Sequence, residues 1–111
     1  MASIEDEAFF DRVEPDVQLR RTLTALDDPA RRFLLELLAD CDATAGDLAA
    51  SAAVNFGISA KRGSQHLRVL AEAELVDVYP DGPWRSYRIR PGGGEVVVEW
   101  LARLEQAARF D

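Results

Sequence analysis

Lys61, Ser64, Gln65 and Arg68 stand at i, i+3, i+4 and i+7, the spacing that brings four side chains onto one side of an α-helix. Their types suit a nucleic-acid duplex. Gln and Arg match the edges of adenine and guanine, whereas Ser and Lys match phosphate oxygens. On the other side of the same helix, Leu67, Leu70 and Ala71 are apolar and can face a core. Arg62 and His66 lie within the run and Ser59 sits at its start. The run leads through Ala71-Glu72-Ala73 into Leu75-Val76 and then a short hairpin bearing Arg85, Ser86 and Arg88. These residues imply DNA binding through one helix and a basic β-ribbon, with Ser59, Lys61, Arg62, Ser64, Gln65, His66, Arg68, Arg85, Ser86 and Arg88 as candidate contacts.

Positioning such a helix requires a second one to brace it. Ser59 is a suitable N-cap for a helix over about Ala60–Ala73. Before it, Thr44-Ala45-Gly46-Asp47 has the spacing of a capping box, with Asp in place of the usual Glu. It opens a helix through Leu48, Ala49, Ala52 and Ala53, and Val54-Asn55-Phe56-Gly57 reads as the turn between the two. Residues 44–73 thus form a helix-turn-helix. Asp28-Pro29 starts an earlier helix, with Asp28 as N-cap, and Phe33, Leu34, Leu37 and Leu38 form its apolar stripe. A first helix, entered at Pro15 after a segment containing Phe9 and Phe10, runs to about Leu26 with Leu19, Leu23 and Leu26 on one face.

Beyond Leu75 the apolar period changes to two. Val76 and Val78, then Tyr87 and Ile89, flank Pro80-Asp81-Gly82-Pro83, a turn signal, so residues 75–90 are expected to form a β-hairpin wing. Alternation places Arg85, Tyr87 and Ile89 on one face and Trp84, Ser86, Arg88 and Arg90 on the other, so that a basic edge points away from the core. After Pro91 and Gly92–Gly94, a last helix over 95–110 carries Val97, Trp100, Leu101, Leu104 and Ala108 as an apolar stripe. A small domain with its core already filled leaves such a stripe for a partner subunit. Leu19 and Leu23 of the 15–26 helix join it as candidate dimer contacts. The expected fold is one domain over 1–111, mainly α with a small hairpin wing, dimeric through its terminal helices.

The 111 residues carry a formal charge of −7, the wrong sign for phosphate binding in sum. The distribution is more informative. Residues 1–57 contain 12 acids and 5 bases, residues 91–111 contain 4 and 2, but residues 58–90 contain 4 acids and 6 bases. Positive charge is concentrated on the segment assigned to DNA, and acidic flanks would orient the approach of a duplex and keep non-specific binding weak. The apolar runs are too short for a membrane span. The acidic start, Ile4-Glu5-Asp6-Glu7, is unlike a secretory signal. Cys41 alone makes neither an internal disulfide nor a zinc site, and is expected as a small, half-buried residue at a helix end. A reduced, cytoplasmic protein is expected.

The residues resemble the ArsR-type (arsenic-repressor-like) winged-helix transcriptional regulators over roughly residues 22–90, with a compatible last helix. Ala25-Leu26-Asp27-Asp28-Pro29-Ala30-Arg31 is similar to the family's "AL-x-x-P-x-R" entry to the second helix, and Gly46-Asp47-Leu48-Ala49 to the start of the first helix-turn-helix helix. Ser64-Gln65-His66-Leu67-Arg68-Val69-Leu70, followed by Leu75-Val76, Gly82 and Tyr87, keeps the order of the "S-x-H-L-x-x-L … L-V … G … Y" pattern. The resemblance implies a homodimeric repressor that holds operator DNA through helix and wing and releases it when an inducer or metal binds, and two-fold symmetry then predicts an inverted-repeat operator. The chain departs from the family in five places. The turn reads about four residues longer than usual, Gly63 replaces a packing residue, and Glu74 stands where a helix-ending glycine is typical. The thiolate metal pattern is missing from Asp47-Leu48-Ala49-Ala50-Ser51, and the last helix lacks a His and carboxylate cluster. No metal or other cofactor is therefore expected, and any effector would be a small organic molecule near the terminal helices.

His66 also fits a structural role beneath the phosphate backbone, and Trp100 fits either a dimer core or the wall of an effector pocket. An enzyme reading has little behind it: the chain shows no Gly-rich phosphate loop, no nucleophile with a base, and no His/carboxylate cluster. The rival reading is a winged helix that docks on another protein, for which a basic wing has no use.

Overall fold

The computed structural model describes residues 16–109. Pro15, the Phe9-Phe10 segment and the end of the last helix at residue 110 lie outside them. The described chain runs α1 (16–26), α2 (Pro29–Asp40), β1 (Ala43–Thr44), α3 (Ala45–Phe56), α4 (Ala60–Glu72), β2 (Val76–Asp81), β3 (Trp84–Ile89) and α5 (Glu95–Arg109). No helix among the described residues is long and apolar enough to cross a membrane.

Local chemistry accounts for the helix starts. The Asp28 carboxylate accepts the backbone N–H of Ala30 at 2.8 Å and of Arg31 at 3.3 Å. Thr44 Oγ1 accepts Asp47 N–H at 3.2 Å, and Ser59 Oγ accepts Arg62 N–H at 3.1 Å. Each side chain satisfies a donor that the first turn leaves unpaired. The helix ends are as well defined. Gly57 closes α3 with φ 63°. After α4, Leu75 N–H reaches Leu70 O at 3.1 Å and Glu74 N–H reaches Ala71 O at 3.0 Å, the paired bonds of a Schellman motif. Glu74 therefore occupies the left-handed position, φ 62°, that glycine fills without steric cost.

Two expectations are corrected here. Val54-Asn55-Phe56 is helical, not a turn. α3 continues to Phe56 and only residues 57–59 separate it from α4, so the connection is short. Packing explains the extra turn of helix, because the Phe56 ring meets Phe33 of α2 edge to face at 5.4 Å. The wing is also more than a hairpin. Ala43 and Thr44 pair with Tyr87 and Ser86, so the antiparallel sheet has the order β1-β3-β2 and β3 is its central strand.

Leu34 and Leu38 of α2, Leu48 and Ala52 of α3, Leu67 and Leu70 of α4, with Ala25, Ala73, Leu75, Val76 and Tyr87, form the buried core. α5 stands apart from this core. It buries no residue, and Val98, Leu101 and Leu104 are 66, 50 and 51% exposed. Cys41, at the end of α2, is exposed where a half-buried position was expected, because the chain leaves the helix there in an extended conformation.

Candidate nucleic-acid interface

The two sides of α4 separate cleanly. Gly63, His66, Leu67 and Leu70 are buried, whereas Lys61, Arg62, Ser64, Gln65 and Arg68 are exposed. The outward set is three cations, Lys61, Arg62 and Arg68, with an amide and a hydroxyl, all unobstructed by the rest of the described chain. Ser59 is exposed beside it. Its oxygen is engaged with Arg62 N–H, which leaves its O–H free to donate. Gly63 allows this helix to lie close against α3. A Cβ built there would stand 3.0 Å from Ala49 O, 3.1 Å from its Cα and 3.3 Å from its Cβ. Gly63 thus marks a close approach of the two helices.

On the wing, alternation holds but the expected basic edge does not. Register places Asp77 opposite Arg88, Tyr79 opposite Ser86 and Asp81 opposite Trp84, so the face carrying Arg88 also carries two aspartates. Arg88 Nε lies 3.8 Å and Arg90 Nε 3.7 Å from the Asp77 carboxylate. The Arg88 guanidinium also covers the Tyr79 ring at 5.0 Å. Tyr79 O–H donates to Asp42 Oδ2 at 2.7 Å, and this bond to a carboxylate raises the phenol's pKa above its usual 10.0. Ser86, a candidate contact, is only 2% exposed and donates to Asp81 Oδ2 at 3.0 Å. Pairing on both sides in a central strand covers it, which no reading of the hairpin alone could show. Arg85 projects from the opposite face, exposed and without an acidic partner among the described residues.

His66 is the second candidate that the fold turns inward, at 7% exposure. Its Nδ1 lies 3.1 Å from Arg31 Nη1 of α2. Arg31 Nε and Nη2 also donate to Ala25 O and Thr24 O, at 2.7 and 2.9 Å, capping the last turn of α1. Burial lowers the imidazole pKa below 6.5; the Asp28 charge opposes this and the Arg31 and Arg62 charges assist it. Sequence reasoning missed Arg31 and Asp77. Along the chain Arg31 is one residue of a motif and Asp77 one acid among four in residues 58–90, since a cross-strand partner is invisible until register is known.

The terminal-helix candidates lie away from this surface. Leu19, Val97 and Trp100 are half-buried, and Leu23, Leu101, Leu104 and Ala108 are exposed. A cleft of about 570 Å³ lies between α1 and the end of α4, lined by Val17, Arg20, Arg21, Thr24, Val69 and Glu72. Among the described residues, no group of three or more His, Cys, Asp or Glu is placed to hold a metal ion.

Comparison with known proteins agrees with this geometry. Residues 28–78 match the bacterial regulatory protein, arsR family. The transcriptional repressor SdpR of Bacillus subtilis (strain 168) is 31% identical over 83 residues, which are 75% of this chain and 88% of that one. A crystal structure of an ArsR family transcriptional regulator superposes with a TM-score of 0.74 at 26% identity, over 85% of this chain and 93% of the other. The solution structure of a homodimeric winged helix-turn-helix DNA-binding domain from Mycobacterium bovis superposes at 0.58 and 26% identity, over 94% of this chain and 84% of the other. The exposed polar face of α4, the sheet beside it and these likenesses lead to one conclusion: the chain belongs to the arsR family and is a winged-helix DNA-binding transcriptional regulator.

Proposed function

We propose that the protein is a homodimeric repressor, not an enzyme, that reads an inverted-repeat operator in the cytoplasm. The exposed face of α4 is the observation that carries the reading: Gln65 and Arg68 meet base edges in the major groove, while Ser59, Lys61, Arg62 and Ser64 meet phosphate. Residues 44–73 serve as the helix-turn-helix and 75–90 as the wing. Arg85 is the principal wing contact to the adjacent backbone or minor groove, and Arg88 contributes less because Asp77 already balances its charge. His66 and Ser86, being buried, act through structure rather than by touching DNA.

The helices over 15–26 and 95–110 form the dimer seam, with Leu19, Leu23, Val97, Trp100, Leu101, Leu104 and Ala108 as its contacts. The uncovered stripe on α5 supports this, and the Mycobacterium bovis relative is a homodimer. Two-fold symmetry then sets the half-sites about one helical turn, or a multiple of it, apart. We further propose that no metal controls the protein, and that an organic effector, where one acts, enters the cleft between α1 and α4.

Selection of bound sequences from a random duplex library at near-physiological salt tests the reading, with Gln65→Ala/Arg68→Ala alongside. An inverted repeat enriched by the wild type and lost by the double variant is expected. No enrichment would move the assignment to a protein-docking winged helix. With the operator in hand, Arg68→Ala should cost about 1–3 kcal/mol and relax one base position, whereas Arg85→Ala should weaken all sequences alike and flatten the salt dependence. Release of the operator by a divalent metal would overturn the metal-free reading.

A further inference from the structure

Arg31 is a fork that joins three helices. It belongs to α2, closes the α1 C-terminus through Thr24 O and Ala25 O, and reaches into the middle of α4 at His66 Nδ1. A guanidinium has only donors, so a ring nitrogen 3.1 Å from it must present a lone pair. The imidazole is therefore neutral, with its proton on Nε2. His66 follows Gln65 and precedes Arg68 by two positions, so it braces the back of the helix whose front carries the reading side chains. A second tie, from Gln18 Nε2 of α1 to Ala73 O at 3.3 Å, holds the far end of the same helix.

We propose that Arg31 and His66 are positioning residues that hold α4 at the angle needed to read DNA, so that operator binding requires the neutral, Nε2-protonated imidazole. A proton added at Nδ1 would face N–H to N–H and cation to cation; the hydrogen bond breaks and the two groups repel. The charged groups facing the ring are Asp28 at the N-cap of α2, Arg31 of α2 and Arg62 of α4. The carboxylate of Asp28 already accepts two backbone N–H groups. The one ionisable residue of α3, Asp47, sits in its exposed first turn. Because α1 carries proposed dimer contacts, the same ties link the subunit seam to the reading helix.

The inference rests on the operator-reading proposal, and the test separates the two. His66 is the only histidine, so long-range ¹H–¹⁵N spectra of tag-free protein report its tautomer and titration without ambiguity. The Nε2–H tautomer is expected at pH 7.5. Titration is then repeated on the complex with the selected inverted-repeat duplex, where linkage lowers the imidazole pKa by about 0.5 unit or more if DNA binds the neutral form. Nearby phosphates would raise the pKa of an uncoupled histidine, so the direction of the shift decides the matter.

Operator affinity measured by anisotropy should fall by up to about tenfold per pH unit and per protomer below the titration point. His66→Asn, whose Oδ1 can accept from Arg31 without titrating, should bind at pH 7.5 and lose the acid dependence. The Nδ1–H tautomer, a pKa unchanged or raised in the complex, or a His66→Asn profile identical to wild type would overturn the inference while leaving operator reading intact. Failure to enrich any duplex would overturn both. The wild-type titration decides the question even where a variant fails to fold.

Discussion

Gly63→Ala sets two effects of similar size against each other. Alanine in a helix interior is favoured over glycine by about 0.8–1.0 kcal/mol, so propensity alone predicts stabilisation. The structure predicts the reverse. The added Cβ would lie 3.0 Å from Ala49 O and 3.1 Å from Ala49 Cα, and these are backbone atoms in the middle of α3 that no rotamer change can move aside. α4 must retreat by several tenths of an ångström, which loosens the contacts of Leu67 and Leu70 with the core. Overpacking of this kind typically costs about 1–3 kcal/mol, which leaves a net loss of up to about 2 kcal/mol once the propensity gain is subtracted. For a domain of this size that lowers Tm by up to about 10 °C.

Gly46→Ala is the matched control. Gly46 is also helical, in the first turn of α3, but an added Cβ meets nothing within 4 Å, so only the propensity gain should appear. Thermal and urea unfolding followed by far-UV circular dichroism would compare the two variants. If Gly63→Ala is stabilised as much as Gly46→Ala, the close approach of α3 and α4 is wrong. Displacement of α4 should also weaken operator binding by Gly63→Ala, an effect absent from Gly46→Ala.

Glu74→Gly should raise stability by about 0.5–1 kcal/mol, the left-handed strain relieved less the added freedom of the unfolded chain, read from the urea midpoint. Asp77→Asn removes the carboxylate that holds Arg88 and Arg90; tighter duplex binding with a steeper salt dependence is expected, and an unchanged slope would mean the wing cations do not meet phosphate. Stability should be flat above about pH 6.5 and decline as pH falls below it, because the folded His66 has the lower pKa and the unfolded chain takes up the proton first. His66→Asn should abolish that decline. Asp28 adds a second loss at more acid pH. Burial alone would raise its pKa, but the N–H groups of Ala30 and Arg31, with the His66 and Arg31 charges, hold it below 3.8. Its contribution is therefore present above that value and lost as the carboxyl protonates. A stability profile that rose between pH 6.5 and 5 would contradict the His66 assignment.

Much of this molecule was legible from local patterns. Asp28, Thr44 and Ser59 cap the helices where their types and positions indicated, because a cap is made by atoms two or three residues away. The i, i+3, i+4, i+7 set on α4 emerges exposed as a group, because helical geometry alone puts those residues on one side and an apolar opposite side decides which way the helix turns. The end of α3 was misread since Phe56 is held helical by Phe33, a contact across 23 residues that outweighs the turn signal of Asn55 and Gly57.

Periodicity determined which residues of the wing share a face, but not what lies on the other side of that face. Two residues, Ala43 and Thr44, give too short a strand to announce itself, yet their pairing makes β3 central and buries Ser86. Register alone brings Asp77 to Arg88 and Arg90, turning an expected basic edge into a balanced one. Arg31 and His66 are 35 residues apart, and only the packing of α2 on α4 brings the guanidinium to the imidazole on the buried side of α4. The sequence by itself thus determined the elements, their caps and the exposed polar face of α4, which depend on neighbours along the chain. The tertiary structure decided which polar side chains remain available to DNA, because hydrogen bonds and ion pairs between distant residues form only after the chain has folded.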